Sequence, residues 1–239
     1  MRDVFIDTEA TTRFTEAMDD VLAGPSNYAG FVFAKGQAGR GKTEGAKHYH
    51  VNSSKSLYLR VRGGYTQTAF LQALLFEVKG KNGDRPRHSA NRCKDMIIDL
   101  LEDDRKAIII DEADKLTIGR IEDLRDILDE TGVPVALVGE EGLESLLAER
   151  RRIWSRVVHE VIFGPVNDAE IAMYGMKAAG LNVPPTLCKK IASKTEGDFR
   201  LVRNIMILLE KAAKAADTNF IVDDPMLKAV LEERSWRRK

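Results

Sequence analysis

Cysteine is scarce: Cys93 and Cys188 are the two in 239 residues, and they match no CxxC or zinc-ligand spacing. Two separate thiols exclude a disulfide scaffold and point to a reducing compartment. Long apolar runs are missing, since no stretch approaches the roughly eighteen residues a membrane-spanning helix needs. The first residues, MRDVFIDTEATTRF, mix charges early and hold no apolar segment of signal length. A soluble cytoplasmic protein with no membrane contact is therefore expected. Aromatic residues reach only 7% and form no base-stacking series, so Trp154 and Trp236 read as packing residues. His48 and His50 stand two apart in a predicted helix and do not share a face, which disfavours a metal pair. Net charge is also absent. Lys+Arg and Asp+Glu both number 37, which excludes a globally basic polyanion binder and leaves only a local patch for nucleic acid.

What remains is an ordinary globular mixture, 44% hydrophobic and 31% charged, with no internal repeat or low-complexity tract. Five short apolar runs read as strands: FVFA at 31–34, LYLRV at 57–61, AIII at 107–110, VALV at 135–138 and VIF at 161–163. Continuous apolar character suits parallel strands covered on both faces. Segments of helical spacing separate them, at 66–79, 89–102 and 120–130. The fold class expected is α/β, a five-stranded parallel sheet flanked by helices. Beyond Gly164-Pro165-Val166 the character changes. Asn167-Asp168 can cap a helix ending near Gly180, Pro184-Pro185 can open another, and two more start near Gly197-Asp198 and Asp223-Asp224-Pro225. The expected boundaries are an α/β domain over 1–166 and a small all-helical domain over 167–239.

Directly after the first strand stand Gly36, Gln37, Ala38, Gly39, Arg40, Gly41, Lys42 and Thr43, a full GxxxxGK[ST] match. Its glycines let backbone N–H groups wrap phosphate oxygens, and the helix that follows turns its N-terminus to the same anion. In this pattern Lys42 reaches the β- and γ-phosphates of ATP, and the Thr43 hydroxyl binds Mg2+. The second motif, AIIIDEAD at 107–114, delivers Asp111 from the carboxyl end of a strand to hold the same Mg2+. Glu112 beside it can activate a water for attack on the γ-phosphate. ATP and Mg2+ binding, with hydrolysis, is the expectation.

A Walker A loop, an IIDEAD Walker B and a later strand ending Leu137-Val138-Gly139 together resemble the AAA+ P-loop ATPases, whose all-helical lid domain the C-terminal region would form. More closely, the chain resembles the transposition target selectors, the family of the phage Mu B protein and the TnsC and TniB ATPases. The residues that carry this are 36–43, IIDEADKL at 109–116, the strand ending Leu137-Val138-Gly139, Ser155-Arg156-Val157, and Thr195-Glu196-Gly197 with Arg200. The resemblance implies Arg156 as an arginine finger reaching the neighbouring subunit's nucleotide, with Arg150, Arg151 and Arg152 as competitors. Arg200 would be the sensor 2 arginine, with Arg203 as the alternative. Relatives usually end the fourth strand on a neutral Asn, Thr or Ser, whereas here Glu140 and Glu141 follow Gly139. A carboxylate there would be repelled by the γ-phosphate, which bears on hydrolysis rather than binding. Phage Mu B has an additional N-terminal DNA-binding segment, and this chain begins too near its first strand to be expected to include one.

The most basic stretch of the α/β region runs over 79–88, with Lys79, Lys81, Arg85 and Arg87, followed by Arg92 and Lys94. Mobile Lys and Arg contact phosphates without reading sequence. In the target selectors the corresponding region faces double-stranded DNA, and a ring or helical homo-oligomer with ATP at its interfaces would repeat the patch. The function implied is an ATP-dependent, sequence-nonspecific DNA-binding ATPase that oligomerises on DNA and recruits or activates a transposase. The alternatives are a replication initiator or helicase loader, and an assembly or secretion-associated ATPase.

Overall fold

The computed structural model describes every residue except 26–27, 81–82, 217–219, 234 and 238–239. Its centre is a five-stranded sheet of β1 (Phe31–Lys35), β2 (Ser56–Arg60), β3 (Ala107–Asp111), β4 (Val135–Gly139) and β5 (Val157–Ile162). Every pairing is parallel, in the order β2-β3-β4-β1-β5. The strands read as continuous apolar runs because both faces are covered. Successive side chains point to opposite faces. Phe31, Phe33, Ile108, Ile110, Val135 and Leu137 pack with residues of α3 (Gln67–Val78), α4 (Ala90–Asp103) and α5 (Ile118–Thr131). Val32, Ala34, Ile109, Ala136 and Val138 pack with residues of α1 (Glu9–Ala23) and α2 (Lys42–Asn52). The bulky set thus faces one helical layer and the small set the other.

Local chemistry explains the helix ends. Thr66 accepts from the Ala69 amide at 3.2 Å to start α3, Ser89 accepts from Arg92 to start α4, and Gly132 at φ 64° stops α5. Helix α1 has no counterpart among the helices expected above. Its buried Phe14, Ala17, Met18 and Val21 nevertheless follow i, i+3, i+4, i+7 spacing. The fifth strand also differs from the run at 161–163, because it begins at Val157. β5 is an edge strand and its exposure alternates, so His159 and Glu160 interrupt the apolar signal. Two short helices, α6 (Gly142–Ala148) and α7 (Arg151–Trp154), lie between β4 and β5.

The chain divides into two compact units, and the sheet lies in the one formed by Ala10–Gly36 and Lys42–Phe163. The other comprises Met1–Glu9, Gln37–Gly41 and Gly164–Lys239. It holds α8 (Asp168–Ala179), α9 (Pro185–Thr195), α10 (Phe199–Ala216) and α11 (Asp224–Glu233). Asn167 and Glu170 form a reciprocal capping box on α8, Gly180 ends it at φ 69°, and proline occupies the first turn of α9. Tyr174, Ile191, Val202, Ile205, Met206, Leu209 and Leu227 form the core of this unit, joined by Ile6 from the chain's start. A lone parallel bridge between Asn182 and Ile221 is the β-type pairing among its described residues.

Candidate nucleotide site

β1 runs into the glycine-rich loop, where Gly36 and Gly41 are needed for different reasons. A Cβ on Gly36 would stand 2.3 Å from the Phe163 carbonyl oxygen, so the loop can leave the strand there only without a side chain. Gly41 has φ +87° with open space around it, a left-handed position that glycine occupies without strain. Gln37 and Ala38 are exposed. In the helical unit, the Gly39 carbonyl accepts from the Phe199 amide at 2.8 Å, and Arg40 donates to the Glu196 carbonyl at 2.5 Å and to Gln37 at 3.0 Å. Lys42 opens α2 and its Nζ donates to the Gly36 carbonyl at 2.5 Å. Thr43 follows in the first turn, where amides lack intrahelical partners and the helix is positively polarised.

Asp111 ends β3 with only 2% of its surface exposed. Its Oδ1 accepts from the Thr43 hydroxyl at 3.2 Å and from the Glu112 amide at 3.0 Å, and its Oδ2 accepts from the Tyr58 hydroxyl at 2.7 Å. Burial, and then the bond to Asp111, pushes the Tyr58 pKa up, so the phenol stays a donor at neutral pH. A carboxylate and a hydroxyl 3.2 Å apart at a helix start form a hard-oxygen donor pair, the chemistry Mg2+ takes. Among the described residues no cluster of three or more His, Cys, Asp or Glu groups would hold a metal.

Glu112 adopts left-handed φ 57°, ψ 40°, unusual for a non-glycine residue. One carboxylate oxygen accepts from Arg60, with Nε at 2.8 Å and Nη2 also bonded, and the other accepts from Lys115. Burial alone would raise this carboxyl, but Lys115 and then Arg60 outweigh it and hold it below the ordinary 4.5. The Thr43–Asp111 bond therefore joins the first turn of α2, which Lys42 opens, to the end of β3, which Glu112 follows. Glu140 is exposed, its amide donating to Asp114 at 3.1 Å.

Arg156 immediately precedes β5 and forms a two-pronged ion pair with Asp129, at 2.5 and 2.8 Å. Arg152 pairs with Glu122, while Arg150 and Arg151 are exposed. Arg200 pairs with Asp198 at 3.4 Å, and Arg203 is exposed next to Tyr174. Lys79 is the C-cap of α3 and is exposed, as is Arg87; the exposed Arg85 guanidinium lies 5.9 Å from the Phe76 ring centre. Lys81 lies outside the described residues. Lys94, read above with the basic stretch, instead turns inward to Asp123 and Asp126 at 2.8 and 3.0 Å. A cleft of about 910 Å³ is lined by Arg60, Arg62, Tyr65, Phe76, Arg85 and Glu112, among others. Tyr58, Arg60 and Lys115 escaped the sequence reading. The Tyr58 and Arg60 contacts depend on β2 lying next to β3, with Arg60 level with Asp111.

A glycine-rich loop between β1 and α2, beside a strand-borne Asp-Glu pair on an all-parallel sheet, defines the P-loop ATPase class. The family model described as "AAA domain" matches residues 26–147, just over half of the chain, and the chain belongs to this AAA family. Among solved structures it is similar to the Aeropyrum pernix Orc1 protein in complex with DNA, at 20% identity and TM-score 0.66 over 97% of this chain and 66% of that one. It is also similar to Cdc6p from Pyrobaculum aerophilum, at 16% identity and TM-score 0.64 over 90% and 65% of the two chains. The Thermotoga maritima RuvB Holliday junction branch migration motor matches at 16% and 0.60, over 95% and 70%. At these identities the likeness is one of fold, and the chain spans about two thirds of the length of Orc1 and Cdc6p. No curated protein matches the sequence. Among the described residues no helix is long and apolar enough to cross a membrane.

Proposed function

We propose that the chain is an ATPase that binds duplex DNA without sequence preference, oligomerises on it in the ATP state, and recruits or activates a transposase. The observation that carries the nucleotide chemistry is the convergence of Thr43, Asp111 and Glu112 beside the loop of Lys42. In this reading Gly36–Thr43 cradles the phosphates of ATP, Lys42 offsets their charge, and Glu112 takes the proton of the attacking water. Thr43 and Asp111 hold Mg2+, which would neutralise phosphate charge as it develops. Residues 1–166 act as the nucleotide-binding domain and 167–239 as the lid, with Arg200 answering the γ-phosphate. Arg156 acts on a neighbouring subunit's ATP, which requires release from Asp129.

DNA contact is assigned to Lys79, Lys81, Arg85 and Arg87, and the similarity to an Orc1 solved with DNA and to a branch migration motor supports this class of partner. The transposase role rests on the motif resemblance. A second reading, a replication initiator or loader, is favoured by the likeness to Orc1 and Cdc6p. Both readings expect ATP-dependent duplex binding that weakens with salt by a slope of about −0.9 per phosphate contact. Replacing Lys79, Lys81, Arg85 and Arg87 with Ala should flatten that slope while ATP affinity holds, and an unchanged slope would place the DNA contact elsewhere. Pull-down with a transposase or with a helicase separates the two readings.

A further inference from the structure

We propose that Tyr58 is a positioning residue for the divalent cation, holding Asp111 so that one carboxylate oxygen, Oδ1, is presented beside Thr43. The proposal rests on the reading of Thr43 and Asp111 as the cation's protein ligands. A carboxylate has about four lone-pair sites. Asp111 has three of them filled: Oδ1 by the Thr43 hydroxyl and the Glu112 amide, Oδ2 by the Tyr58 hydroxyl. The Tyr58 bond, at 2.7 Å, is the shortest of the three and the one that engages Oδ2. Because Asp111 is almost fully buried, water has little access to stand in for that donor.

The donor is itself held in place. Tyr58 sits mid-strand on β2, level with Ile109 of β3, and its ring lies nearly parallel to that of His50 at 5.9 Å between centres. His50 is anchored in turn by Ser56 at 2.9 Å. Without the hydroxyl, Asp111 can turn about its last bond and offer either oxygen, and one buried oxygen loses its partner. Partners that orient a metal ligand from behind in this way typically change metal affinity by about 10–100-fold. Tyr58 bonds Oδ2, the oxygen away from the Oδ1–Thr43 pair, so its effect should fall on cation affinity.

The test is a Mn2+ titration of the full chain with a saturating non-hydrolysable ATP analogue, reading free Mn2+ by electron paramagnetic resonance. Tyr58→Phe removes one oxygen and leaves the ring against His50. It should raise the Mn2+ dissociation constant about tenfold or more, while analogue affinity in EDTA stays unchanged and circular dichroism shows the native fold. Placing 4-aminophenylalanine at position 58 restores a donor and should restore Mn2+ affinity, a rescue that ring packing alone would not produce. A Mn2+ affinity within about twofold of the parent in Tyr58→Phe, or no rescue by the amine, overturns the proposal. Asp111→Asn separates the two levels. If it weakens Mn2+ binding and Tyr58→Phe does not, only the positioning role fails; if it binds Mn2+ like the parent, the underlying reading fails as well.

Discussion

A general base needs a free and basic lone pair, and in this structure Arg60 occupies Glu112 Oε1 with two donors while Lys115 takes one site of Oε2. Both cations draw charge from the carboxylate, so loosening either contact would make Glu112 a stronger base. Arg60 is 56% exposed and Lys115 43%, against 21% for Glu112, so solvent screens both pairs. Partly exposed pairs of this kind contribute about 0.2–1 kcal/mol, and the two-pronged Arg60 contact belongs near the top of that range. Releasing about 1 kcal/mol corresponds to roughly a fivefold change in rate. Arg60→Ala should therefore raise single-turnover hydrolysis up to about fivefold, with ATP affinity unchanged. The pH dependence gives a second reading of the same contact. The folded carboxyl sits below its ordinary 4.5, so folding favours the ionised form. That contribution to stability is present above pH 4.5 and is lost as pH falls below it. In Arg60→Ala the carboxyl moves back up, and the acid limb of the rate profile should rise with it. Phosphate release from pH 4 to 8 measures both effects. A tenfold or larger fall in rate with intact ATP binding would refute the reasoning and make Arg60 a residue that orients the base.

Lys42→Ala should abolish ATP binding by calorimetry, and Glu112→Gln should keep ATP bound while phosphate release falls. Asp129→Asn should loosen Arg156 and favour ATP-dependent assembly by a few-fold at most, since both partners are about a third exposed; light scattering reads this, and assembly lost in Asp129→Asn would mean the pair is part of the interface. Asp123 is buried and accepts from Gln67, Lys94 and Arg120, so it joins α3, α4 and α5. Asp123→Ala should cost about 3 kcal/mol in urea unfolding, and a loss under about 1 kcal/mol would show that solvent replaces the carboxylate. Burial pushes the Cys188 thiol up to about 11 and also raises that of Cys93, so both stay neutral at pH 8 and should resist an aromatic disulfide reagent until urea exposes them.

Much of the fold was legible because its signals are local. Four of the five strands fall within a residue or so of their apolar runs; in β1, β3 and β4 burial on both faces sustains the run, while the edge strand β2 ends on the exposed Arg60. Thr66, Ser89 and Asn167 mark helix starts through bonds to amides three residues on. The edge strand β5 was only partly visible, because the half-buried His159 and the exposed Glu160 interrupt its apolar run. Lys94 misled for a related reason: its charge reads as solvated until the buried carboxylate of Asp123 is known to face it.

The sequence by itself determined the nucleotide loop and the Asp-Glu pair, because each is a run of adjacent residues whose spacing carries the chemistry. Tertiary structure alone decided what surrounds them. Tyr58 meets Asp111 across 53 positions and Arg60 meets Glu112 across 52, contacts that exist because β2 pairs with β3 rather than with β1. The order of parallel strands is set by how whole helical layers bury the sheet, a long-range competition that leaves no mark in any short segment. For the same reason the sequence displays Arg156 as a cation beside a strand, and only the packing of α5 puts Asp129 under it.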